Sequence, residues 1–98
     1  MNIKVFKLIS GEEIIAEVFN ALADNIELKS PATIVIQQTA QGVGVGLMPY
    51  MAYATGNIKL YKTSIASEAE PDIKMINEYN RIFGSGIQIA TAGSMGIK

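Results

Sequence analysis

The sequence predicts a mainly β fold: five short strands in a small, strongly bent antiparallel barrel or sandwich, with one helix packed on it near the C-terminal end. Three observations carry this. Apolar runs rich in Val, Ile and Phe recur at short, regular intervals between Gly- and Pro-containing turns. Only one stretch, following Pro71, has helical spacing of its apolar residues. Glycine alternates with apolar residues in "GVGVG" (42–46), as a tightly coiled strand allows.

The first strand is "IKVFKLI" (3–9). Ile3, Val5 and Ile9 share one face with Lys7, and Phe6 and Leu8 share the other with Lys4, so both faces carry apolar groups. Ser10-Gly11-Glu12 is a turn in which Gly11 is the residue best able to take positive φ. "EIIAEVF" (13–19) reads as the second strand, with Ile14, Ala16 and Val18 on one face. "NALAD" (20–24) connects it to "NIELKS", where Ile26 and Leu28 point inward and Glu27 and Lys29 outward. Pro31 has no N–H and holds Ser30 out of helical conformation, so it marks a bend before "TIVIQQT". The pair is one long bent strand or two short ones.

"AQG" (40–42) is a turn. "VGVGLMPYMAY" follows as the fourth strand, with Val43, Val45 and Leu47 on one face; Pro49 makes it an edge strand or marks a bulge. After the turn "ATGN" (54–57), "IKLYKTSIA" (58–66) is the fifth strand. Pro71 sits at the first turn of the helix, where its missing N–H is harmless, and Asp72 adds a favourable charge there. Met75, Ile76, Tyr79, Ile82 and Phe83 follow helical spacing, and Gly84 ends the helix. The fold unit therefore spans 1–83. The Gly/Ser-rich tail 84–98 offers one short strand, "IQIA".

Composition narrows the function. The chain has 98 residues, room for one small domain. Nearly half of them, 49%, are apolar and 17% are charged, which argues against disorder and for apolar surface shared between subunits. The net charge of −1 lacks the positive excess of most nucleic-acid binders, so any such binding needs lysines gathered by symmetry. There is no Cys and no His, which removes thiolate chemistry, the usual general base and the commonest metal ligand. No apolar run spans a membrane, and "MNIKVFK" lacks the pattern of a signal peptide. We expect no enzyme, no cofactor, no metal site, no small-molecule substrate and no membrane partner, in a cytoplasmic protein.

The candidate clusters read mostly as structure. Glu12, Glu13 and Glu17 sit at a hairpin tip and on an outward face, where solvation suffices. Glu68, Glu70 and Asp72 surround a helix start and lack the spacing of a calcium loop, so helix capping and dipole complementation explain them. "GVGVG" lacks the strand–helix context of a phosphate loop. Met48, Tyr50, Met51 and Tyr53 suit core packing or a subunit contact, or else a stacking surface for bases; Tyr61 beside Lys62 offers a similar pairing.

Two stretches carry a resemblance. "VFKLISGEEIIAEV" followed by "DNIELKS", and the later "IKLYKTSIA", resemble the two signatures of the Sm-like family of small barrels, over roughly residues 3–66. Gly11 stands at the family's glycine, Asn25 at its base-contacting Asn, and Lys62 at its basic position, with Thr63 where that pattern has glycine. The sequence is also similar to small Sm-like proteins ascribed to phages. The resemblance implies a five-stranded barrel with one C-terminal helix. It implies a homo-oligomeric ring of about five to seven subunits, in which the fourth strand of one subunit pairs with the fifth of the next. Single-stranded RNA would be contacted by Asn25, Lys62, Thr63 and Asp24, in the cytoplasm of a bacterial cell or of a phage host. Val45, Leu47, Met48, Tyr50, Leu60 and Tyr61 would form the subunit interface. The alternative is a homo-oligomeric protein-interaction or scaffold module, phage-encoded, without nucleic-acid binding.

Overall fold

Six strands and one helix account for most of residues 2–84, the part of the chain that the computed structural model describes. The strands are β1 (Ile3–Leu8), β2 (Glu13–Ala21), β3 (Asn25–Thr39), β4 (Gly42–Pro49), β5 (Ile58–Tyr61) and β6 (Ile65–Ala69), and the helix is α1 (Ile73–Phe83). The mainly β class, the antiparallel pairing and the single late helix are those expected. Two points differ. The segment 58–66 is two strands, because a 3-10 turn at Lys62–Ser64 interrupts it. And the sheet is not closed into a barrel: the ladder runs β4-β3-β2-β1-β6, with β5 pairing β3 off this path.

The β1–β2 hairpin forms around Gly11, whose φ of +94° suits a residue without Cβ. Leu8 N–H donates to the Glu12 carbonyl and Gly11 N–H to the Leu8 carbonyl, each at 2.8 Å. The register then sets Phe6 opposite Ile14 and Val5 opposite Ile15. Alternation sends these residues to two cores. Phe6, Leu8, Ile14 and Ala16 join Ile26, Leu28 and Leu60 on the inner face of the bend. Ile3, Ile15 and Ala32 meet Tyr79 of α1 on the outer face, with Met75, Ile76 and Phe83 packed beside them. Two cores explain why neither face of β1 reads as polar.

β3 serves both cores by changing face midway. Ile15 pairs with Ala32 and Glu17 with Lys29, so two steps along β2 match three along β3. The extra residue is a bulge at the Ser30-Pro31 bend, where Ser30 has φ +50°. Ile26 and Leu28 therefore face inward while Ala32 and Ile34, of the same parity, face α1. The one long bent strand is the alternative realised.

β4 and β5 lie end to end on the β3 edge opposite β2, separated by residues 50–57. β6 lies on the far edge of β1. The 3-10 turn thus links an edge of β3 to an edge of β1 without a ladder between β5 and β6. This strap, not a closing ladder, completes the wall around the inner core.

Asp72, not Pro71, starts the helix: its carboxylate accepts a 2.8 Å bond from Met75 N–H as the N-cap. Glu70 and Glu68 do not cap it but pair with Lys4, the latter at 3.6 Å, and tie β6 to β1. Asp72→Ala should lower stability by about 1 kcal/mol in urea melts, because one helical N–H loses its acceptor. The strand expected within 87–90 and the rest of the tail lie outside the described residues.

Candidate functional site

The end of the β2–β3 connection and the start of the 3-10 turn meet at one junction. Asn25 opens β3 directly opposite Tyr61, the last residue of β5. Lys62 N–H donates to the Asp24 carbonyl at 2.9 Å, so the two segments are held by backbone. Ser64 stiffens the turn: its hydroxyl donates to the Tyr61 carbonyl at 2.7 Å, and its own carbonyl accepts from Ile9 N–H at 2.8 Å. Asp24, Asn25, Lys62 and Thr63 come from sequence segments far apart and are brought together here.

Their exposure differs. Lys62, Thr63 and Asp24 face solvent. Asn25 is 7% exposed and is the one buried polar side chain among the described residues. Its Nδ2 donates to Asp24 Oδ1 at 2.7 Å, while its Oδ1 is buried without a hydrogen-bond partner among those residues. A buried acceptor left unpaired is unfavourable by about 1–3 kcal/mol, so natural folds rarely keep one without a use. Tyr61, which precedes Lys62 in the chain, is 53% exposed. The junction exposes a carboxylate, a cation and a hydroxyl, with Tyr61 next in the chain to Lys62.

Of the other residues singled out, Val45 and Met48 are exposed on β4, Leu47 packs on the outer core and Tyr50 on the inner one. Leu60 is buried in the inner core. They mark two collinear edge strands rather than one apolar face. Ser64 was not foreseen as part of the junction; a Ser at the end of a tight turn, three residues after the carbonyl it binds, is the signal that points to it.

Among the described residues no group of three or more His, Cys, Asp or Glu is placed to hold a metal ion. No helix among them is long and apolar enough to cross a membrane. No protein-family model and no curated protein matches the chain.

Proposed function

We propose that this chain is a ring-forming Sm-like protein that binds single-stranded RNA at the Asp24–Asn25 and Lys62–Thr63 junction. The observation that carries the reading is the junction itself: the Lys62 N–H to Asp24 carbonyl bond holds the two distant segments together, with Asp24, Lys62 and Thr63 exposed. Exposed Lys62, Thr63 and Asp24 suit the phosphates and base edges of an unstacked strand. The Tyr61 ring supplies a face for stacking. The open sheet supports the ring: β4 and β6 are its two ends, and head-to-tail pairing of unlike edges closes about five to seven copies into a ring. Closure gathers one Lys62 per subunit, so a chain of charge −1 carries a locally basic circle.

Fluorescence anisotropy with short U-rich and A-rich RNA at low salt tests it. Lys62→Ala should weaken binding about tenfold or more and flatten its salt dependence, since each subunit loses a phosphate partner. Absence of binding by the assembled protein, or equal binding by the variant, rejects the RNA reading.

A second reading, a protein-interaction scaffold, is favoured by the apolar surface of residues 48–53, where Tyr53 is 87% exposed. Partners recovered from a bacterial lysate that persist after nuclease treatment support it. Partners lost with the nucleic acid count against it.

A further inference from the structure

No charged residue occurs between Lys29 and Lys59. That stretch holds the second half of β3, all of β4 and the link to β5. β4 ends the sheet, and no described residue pairs with its outer edge. Val43 and Val45 are 67% and 45% exposed, while Leu47, on the same face, packs on the outer core. Charges commonly guard an edge strand against pairing, and this edge has none.

One hydrogen bond shows which backbone groups are open. Tyr50 N–H donates to the Pro31 carbonyl at 2.8 Å, in register with the β3–β4 ladder. Bonded and non-bonded pairs alternate along an antiparallel ladder. Gly42, Gly44, Gly46 and Met48 therefore bond to β3, and Val43, Val45 and Leu47 turn their N–H and C=O outward. Pro49 is next in the outward series and has no N–H, so the open donors stop at Leu47.

This short template is complementary to itself. With two copies antiparallel and Val45 opposite Val45, every outward N–H and C=O of Val43, Val45 and Leu47 is paired. Val43 then faces the second copy's Leu47. On the other face Gly44 meets the second copy's Gly46, where neither has a side chain to clash. No charge meets a like charge. β6, at the far end of the sheet, carries Glu68 and is followed by Glu70, so a copy of itself would meet carboxylates.

We infer that two copies of this chain pair through the outer edges of β4, about a two-fold axis at Val45, into one continuous sheet. Val43 and Val45 of both copies close a single apolar strip, which runs on into the groove that Val45 lines with Met75 of α1. A ring of the proposed kind draws on the same edge, so a chain joins one assembly or the other.

The chain has no cysteine, so a single substitution reads the axis. In Val45→Cys the two new thiols lie opposite each other, about 5.5 Å apart at Cα, within disulfide reach. Mild oxidation without RNA should link most chains into covalent dimers. Ile36→Cys should not, although Ile36 is 68% exposed opposite Val45, because three strand spacings, about 14 Å, separate the two copies. Val45→Lys sets two ammonium groups face to face. It should raise the dissociation constant of the dimer tenfold or more in sedimentation equilibrium, while the monomer keeps its far-UV spectrum. Cross-linking of Val45→Cys no better than that of Ile36→Cys, or equal self-association by the lysine variant, overturns the inference. A head-to-tail ring sets Val45 against β6 instead, so a ring-sized species without the Val45→Cys link rejects the two-fold dimer and leaves the ring standing.

Discussion

Tyr79→Phe should lower stability by about 1–3 kcal/mol in urea melts, although it removes one oxygen from a helix surface. The hydroxyl sits where α1 meets the bulge of β3. It accepts from Glu17 N–H at 3.2 Å and points its proton at the carbonyls of Lys29 and Ser30, each 2.9 Å away. Those part-buried groups lie beside the residue that the bulge leaves out of the ladder, so without the hydroxyl they lose this partner. Tyr79→Ala also opens a cavity next to Phe83, whose ring centre is 5.3 Å away, and should cost about 3–5 kcal/mol. Alkaline titration separates the hydroxyl from the ring. Burial pushes the Tyr79 phenol up from 10.0 to about 12. The folded state therefore holds this proton more tightly than the unfolded one. Its contribution is full below pH 10 and is lost as pH rises through about 12. The Phe variant should lack that share of the alkaline decline, and an unchanged pH profile would show that the phenol does not report on folding.

Asn25→Leu should move stability and binding in opposite directions. Leucine has the same branching at Cγ and carries no acceptor to bury, so the melting temperature should hold or rise, by about 1 kcal/mol of added stability. RNA binding by the same protein should fall about tenfold, since the exposed Asp24 carboxylate loses the Asn25 amide that orients it at the junction. A protein that loses about 2 kcal/mol or more instead would place Asn25 among the structural residues and take it out of the proposed RNA site.

The strand pattern was legible because Phe6, Leu8, Ile14, Ala16, Ile26 and Leu28 alternate with their neighbours, and Gly11 separates the first two runs. The bulge at Ser30 was not. Ala32 and Ile34 continue the parity of Ile26 and Leu28, and alternation alone carries no mark of the extra residue that sends them to the other core. Pro31 signalled a bend but not its consequence for facing. The 3-10 turn was hidden for a related reason: Lys62, Thr63 and Ser64 are acceptable strand residues, and tertiary bonds to Asp24 and Ile9 make them a turn. At the candidate site the residue types were readable, and so was the pairing of the two motifs through their resemblance. The burial of Asn25 was not, because an Asn at a strand start usually finishes a turn in solvent.

The covalent strap between β5 and β6 also orders the events of folding. β1, β2, β3 and the first part of β4 join through short turns, so their ladders close small loops. The strap pairs Asn25 with Tyr61 at one end and Val5 with Ala69 at the other, closing far longer ones. Loop entropy makes such contacts slow to form and quick to lose. The meander should therefore be in place before Leu60 arrives to seal the inner core, and the junction that gathers Asn25 and Lys62 is among the last parts of the molecule to exist.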